Sequence, residues 1–180
     1  FLAGTGARLG EALGLRWSDL DLQRGIVRFS GSLRPQDRRL RGDARRLQRV
    51  EPKTAAGFRS VALAPFVITA LERHREARAG QPVPVEGYVF TTPLGSPLDP
   101  RNVSRSWAGA TARLGLPRLR IHDLRHSYAT QLLAAGYGLE DVKRALGHES
   151  IAVTSDTYGH LVEGRSRELA AGLDRRLRGA

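Results

Sequence analysis

His122-Asp123-Leu124-Arg125-His126-Ser127-Tyr128 opens a run that passes Leu132, Leu133 and Gly136, continues through Leu139 to Leu146, and reaches Gly147-His148 and then Tyr158. From His122 to Ala135 the spacing of Leu124, Tyr128, Leu132 and Ala135 predicts a helix with one apolar side, closed by Gly136 near its C-cap. His122 and Arg125 are three residues apart, about 60° around a helix axis, so both project from one face at its start. A second, short helix is expected over Leu139 to Leu146, stopped by Gly147, which leaves His148 just past its end. Ser150 can cap a further helix or turn toward Tyr158, and Leu161 to Leu177 reads as a charged helix.

Working outward, Val67, Ala70 and Leu71 opposite Glu72, Arg73 and Arg75 predict an amphipathic helix from Pro65 to about Ala79. Asp99 or Ser104 can start another through Leu114, ended by Gly115 and Pro117. Near the start, Leu9, Ala12 and Leu13 have the spacing of a buried face, so a helix capped by Thr5 is expected to run to about Trp17, with Arg8 and Glu11 as neighbours. Alternation in Val27 to Ser30 and in Ser60 to Leu63 predicts strands, with a third over about Leu47 to Glu51. Pro52-Lys53-Thr54-Ala55-Ala56-Gly57 is then a turn with Lys53 at its tip. Arg34 to Arg49, with seven Arg and two Asp, is a loop or solvated hairpin. The fold class is α+β, mainly α-helical, with a small three-stranded antiparallel sheet that carries a lysine hairpin.

Charge narrows the function. Lys and Arg number 29 against 18 Asp and Glu, a formal net charge of +11, which favours polyanionic partners such as nucleic acid. Lys53 and Lys143 are the only lysines, so 27 of the 29 basic residues are Arg (29 less 2). With no cysteine, disulfides and thiolate chemistry are excluded. No apolar run approaches the roughly 20 residues that span a bilayer, and the start has no signal-peptide pattern, so a cytoplasmic protein is expected. The chain starts without Met, inside what reads as an apolar segment, and a fragment is expected.

Arg8, Lys53, His122, Arg125, His148 and Tyr158 are the candidate site residues. Thr5-Gly6-Ala7-Arg8-Leu9-Gly10-Glu11, Pro52-Lys53-Thr54, His122-Asp123-Leu124-Arg125-His126 and Leu146-Gly147-His148 through Tyr158 together resemble the tyrosine recombinases, or phage integrases. The resemblance covers nearly the whole chain. It implies a catalytic domain over residues 1–180, short of its first part and without the N-terminal DNA-clamping domain of that family.

The resemblance also implies a reaction. Tyr158 attacks a DNA phosphate to give a 3′-phosphotyrosyl link and a free 5′-hydroxyl, and the partner is double-stranded DNA held by a synaptic tetramer. A phenol of pKa about 10 must lose its proton as it attacks, and His122 stands at the family position for accepting it. Arg8 and Arg125 offer planar forks to the transition-state oxygens, His148 donates a further hydrogen bond, and Lys53 protonates the leaving 5′-oxygen. No cofactor, metal or ATP is implied.

Several residues also have plainer readings. Tyr128 lies on an apolar stripe and reads as core, whereas Tyr158 has polar neighbours. Glu11 reads as a holder of Arg8 or of a backbone group, and His126 and His160 as supports. His122 and His126 have the i, i+4 spacing of a zinc pair but no evident third ligand. Arg101, Arg105, Arg118 and Arg120, with the arginine-rich loop, are phosphate candidates or solvated surface. Two other functions compete: a type IB topoisomerase, which nicks and reseals with similar chemistry, and a regulator using His122 to Leu146 as a helix-turn-helix.

Overall fold

A computed structural model describes residues 1–36, 47–82 and 85–159, with residues 174 and 176–178 further on. The chain begins with α1 (Leu2–Thr5) and α2 (Leu9–Leu13), and the helix expected from Thr5 to Trp17 is thus broken near its start. The break is Gly6, whose φ of 61° is left-handed. A Cβ there would lie 2.4 Å from the Tyr128 ring, so the close approach to the later helices also requires glycine. Arg8, not Thr5, caps α2, while Thr5 is fully buried at the end of α1.

Strands β1 (Leu20–Asp21), β2 (Ile26–Phe29) and β5 (Arg59–Ala62) form the three-stranded antiparallel sheet in the order β1-β2-β5, with Val27 opposite Val61. β3 (Ser32–Pro35) and β4 (Leu47–Val50) form a separate antiparallel ribbon with Leu33 opposite Arg49. The third strand of the sheet is therefore Leu20–Asp21, and Leu47–Val50 pairs elsewhere. Arg49 explains the ribbon's position. It reaches past Gly31 to donate to the Gly14 carbonyl at 2.8 Å and Ser30 Oγ at 2.8 Å, with Asp19 at 3.3 Å, anchoring β4 beside β3. Lys53 follows β4 on the connection from ribbon to sheet, so its turn joins two strands that do not pair. The tip of the arginine-rich segment, 37–46, lies outside the described residues.

α3 (Pro65–Ala77) starts on Pro65 and buries Val67 and Leu71; Ala70 faces solvent, and Ile68 and His74 complete the packed side. α4 (Pro100–Arg113) is capped by Asp99, whose carboxylate accepts the Arg101 N–H. α5 (Asp123–Ala134), α6 (Leu139–Leu146) and α7 (Ile151–Tyr158) follow, with Ser150 capping α7. The fully buried line of α5 is Arg125, Ala129 and Leu133; Leu124, Tyr128 and Leu132 flank it half-buried, and Ala135 is exposed. The charged helix expected over Leu161 to Leu177 lies largely outside the described residues.

Three hydrophobic clusters result among the described residues; one joins Leu13, Leu33 and Tyr88, and the other two bound the site. Val27, Phe29, Val61 and Leu63 of the sheet region pack on Val67 and Leu71 of α3, while Ala129, Leu133, Val142, Leu146 and Tyr158 join α5, α6 and α7. The candidate site lies along the seam where α1, α2 and β5 meet α5 and α6.

Candidate active site

Arg125 sits in the first turn of α5 and is only 3% exposed. A charged group so placed needs internal partners. One terminal nitrogen donates to the Gly6 carbonyl at 2.6 Å and the other to the Leu146 carbonyl at 2.7 Å, tying the ends of α1 and α6 to α5. Three of the five guanidinium N–H donors remain for a ligand. Burial, joined by the charge of Arg8, lowers its pKa to about 10, and it stays cationic near neutrality.

Across the seam, Glu11 is 8% exposed and gathers two arginines. Its Oε2 accepts the Arg8 backbone N–H at 2.8 Å and its Oε1 accepts Arg8 Nη1 at 2.9 Å. Arg59 donates to the same two oxygens at 2.8 and 3.2 Å, and its Nε donates to the Ala145 carbonyl at 2.9 Å. The Arg59 guanidinium lies 4.3 Å from the centre of the Phe29 ring. Burial pushes the Glu11 carboxyl up, but Arg59 and then Arg8 more than offset this, leaving its pKa below the usual glutamate value. The Arg8 side chain itself remains 44% exposed, held at its root and open at its face.

Gly147 ends α6 with a left-handed φ of 68°, turning the chain so that His148 faces back toward the arginines. His148 Nδ1 lies 2.9 Å from Oγ1 of the fully buried Thr154. Burial, then the charges of Arg125, Arg8, Arg59 and His126, push its pKa down to about 4, so the ring is neutral near pH 7. If Thr154 donates to Nδ1, the free Nε2 carries the hydrogen and points a donor into the site.

Tyr158 closes the group. Despite polar neighbours in sequence it is 4% exposed, because Thr154 and Tyr158 share the one face of α7 that packs on α5 and α6. Tyr128, expected in the core, is half-buried. The Tyr158 hydroxyl lies 2.7 Å from His126 Nδ1. Burial raises the phenol's pKa, and the charge of Arg125 opposes that rise.

His122 caps α5 without a side-chain capping bond, and its ring stands edge-on to His126 with centroids 5.1 Å apart. The residue is exposed, yet desolvation of the packed ring, then the charges of His126, Arg125 and Arg120, lower its pKa. Lys53 is exposed and, among the described residues, makes no hydrogen bond or ion pair. Its turn nevertheless abuts the site: a Cβ on Gly147 would lie 2.8 Å from the carbonyl of Ala56, three residues beyond Lys53.

Arg8, His122, Arg125, His148 and Tyr158 thus converge, and Lys53 reaches the same edge through its turn alone. Sequence reasoning missed Arg59 and Thr154 and took His126 for a support. Arg59 was legible in one respect: the alternation that buries Val61 puts Arg59 on the same inward face, where an arginine requires a partner. His160 lies outside the described residues. Among the described residues no three His, Asp or Glu are grouped to hold a metal, and no helix is long and apolar enough to cross a membrane.

With this arrangement on a mainly helical domain, the chain belongs to the phage integrase family, whose family model matches residues 1–165. It is similar to a XerC-like tyrosine recombinase of Caldanaerobacter subterraneus subsp. tengcongensis, 32% identical over 170 residues, covering 88% of this chain and 44% of that protein. Tyrosine recombinase XerC of Methylobacterium nodulans is 34% identical over 157 residues, covering 85% and 41% respectively. Among solved structures, the Tn1549 transposon integrase in complex with transposon right end DNA matches with a TM-score of 0.75 and 26% identity over 87% of this chain and 51% of that one. XerA recombinase matches with a TM-score of 0.71 and 26% identity over 95% and 54%. The chain spans about half the length of the relatives it matches, or somewhat less.

Proposed function

We propose that this chain is the catalytic domain of a site-specific DNA recombinase that cuts and rejoins strands through a 3′-phosphotyrosyl intermediate. The observation that carries this is that Arg125 of α5 binds the carbonyls of Gly6 and Leu146, which lie two residues before Arg8 and His148, while the Tyr158 hydroxyl meets His126, the next residue along α5. A nucleophile, two guanidiniums and a neutral imidazole are the groups that attack on a phosphodiester requires.

Arg8 and Arg125 take the non-bridging oxygens with their remaining donors, and His148 donates from Nε2. One of the His122–His126 pair accepts the phenol proton. Lys53 supplies a proton to the leaving 5′-oxygen once DNA draws its turn over the phosphate. Because the phosphotyrosyl link keeps the energy of the broken phosphodiester, a second 5′-hydroxyl can reverse the step. The net charge of +11 favours a duplex partner, as in the DNA complex of the Tn1549 integrase, and exchange between two duplexes calls for a synaptic tetramer acting in the cytoplasm.

The test is covalent capture. The chain is incubated with a random-sequence pool of nicked duplexes, and adducts that survive denaturation are isolated and sequenced. Adducts from the unaltered chain and none from Tyr158→Phe are expected. Adducts from Tyr158→Phe, or none from the unaltered chain, overturn the reading.

A further inference from the structure

The Tyr158 hydroxyl has one hydrogen to give, and among the described residues its one hydrogen-bond partner is Nδ1 of His126 at 2.7 Å. His122 is at the start of the helix, exposed, with its ring against His126 rather than against the phenol. The phenol is buried, which resists formation of a free phenolate and makes an adjacent acceptor more valuable. The ring centroids of His126 and Tyr158 are 5.9 Å apart and tilted by 54°, so the contact runs through the hydroxyl rather than through stacked faces.

Resting on the reading of Tyr158 as nucleophile, we propose that His126 is a catalytic residue, the base that takes the tyrosine proton. As the Oη–H bond breaks, its electron pair forms the bond from oxygen to phosphorus and the proton passes to His126 Nδ1. The bond from phosphorus to the 5′-oxygen breaks, and that oxygen leaves with a proton from Lys53. His122, exposed beside this pair, is left to contact the phosphate.

The titratable and charged groups facing His126 are His122 and Asp123 on its own helix, and His148 and Tyr158 from the elements packed against it. Asp123 is the one carboxylate among them, and its charge opposes that of the imidazolium formed on proton transfer.

Two measurements test this. In the DNA-free chain labelled with 15N-histidine, His126 is expected to show an unprotonated Nδ1 and a protonated Nε2 at pH 7.5. A protonated Nδ1 overturns the proposal whether or not DNA is cut. The second uses duplexes recovered by covalent capture, made with either oxygen or sulfur at the 5′-bridging position. His126→Asn, which can accept the hydrogen bond but not the proton, is expected to slow adduct formation about 10²-fold or more near neutral pH. The defect should shrink as pH rises toward ionisation of the phenol itself, and sulfur, a leaving group needing no proton, should not relieve it although it relieves Lys53→Ala. A rate equal to that of the unaltered chain, a defect constant with pH, or rescue by sulfur overturns the assignment. If Tyr158→Phe still forms adducts, the underlying reading fails; if that variant is inert and His126→Asn is fast, only the role of His126 fails.

Discussion

Two cations of the proposed site are held in opposite ways. Arg125 is 3% exposed, fixed by two carbonyls, and faces an arginine pair whose carboxylate anchor is buried as well. Lys53 is exposed on a turn between the two-stranded ribbon and the three-stranded sheet, with no bond of its own among the described residues. The difference teaches how one site divides its work. Groups that must complement spreading negative charge benefit from being fixed in advance, since reorganising dipoles during reaction is costly. A proton donor needed only when the leaving group departs can wait outside. The arginine side should therefore report on stability and the lysine side on chemistry, and removing groups from each side separates the two.

The largest expected effect is at Glu11. Replacing it with Ala leaves Arg59, 6% exposed, without its anion and removes two acceptors from Arg8. Loss of one partner from a buried pair costs about 3–5 kcal/mol. At roughly 2–4 °C per kcal/mol for a domain of this size, calorimetry should show a melting point lower by roughly 10 °C. A drop of only a degree or two would mean that the arginine side is not the rigid one.

Gly147→Ala comes next, because it strikes the contact between the two sides. Its φ of 68° disfavours any side chain, and the new Cβ would meet the Ala56 carbonyl at 2.8 Å. About 2 kcal/mol of destabilisation is expected from strain and displacement together. Urea unfolding checks this, and a loss of only about 1 kcal/mol, the cost of the left-handed φ by itself, would show that the Lys53 turn yields freely. Had the turn been independent of α6, no such coupling would be expected.

What could be read in the chain beforehand follows the same division. Caps and stops were legible because their causes are local: Asp99 and Ser150 accept N–H groups two residues on, and Gly147 ends α6 in a conformation that glycine favours. The six candidate site residues were singled out because their motifs, taken together in order and spacing, resemble those of the tyrosine recombinases. Long-range choices were not legible. Leu47–Val50 pairs with Ser32–Pro35 because Arg49 finds Gly14, Ser30 and Asp19, a set scattered over earlier sequence. Tyr158 looked solvated because Ser155, Asp156 and Thr157 surround it in sequence, yet those three occupy the outer face of α7 while Thr154 and Tyr158, four apart, occupy the inner one.

Acid should weaken the arginine side by a smaller amount. His148 has a folded pKa of about 4, below the usual histidine value near 6.5, so the folded state binds its proton less readily than the unfolded one. The stabilisation is fully present above about pH 6.5 and is lost as pH falls from there toward 4; His122 shifts in the same direction. After discounting for partial exposure, about 1–2 kcal/mol is expected to disappear across that window. Denaturant midpoints at pH 7 and pH 4.5 measure it, and His148→Asn should flatten the difference. A midpoint rising with acid would mean that the arginines do not press on this ring.

Lys53→Ala should change stability least, within about 0.5 kcal/mol, since the side chain is exposed and leaves nothing unpaired. Its consequence belongs to the reaction. With an oxygen leaving group, adduct formation should fall about 10²-fold or more, the usual scale for a lost general acid. With sulfur at the 5′-bridging position the variant should approach the unaltered chain, because a thiolate departs without a proton. Glu11→Ala offers the contrast: sulfur cannot repair a displaced arginine, so its defect should persist with either leaving group. If Lys53→Ala lowered the melting point as Glu11→Ala does, the lysine would be part of the scaffold and the division between a fixed anion clamp and a free proton donor would fail.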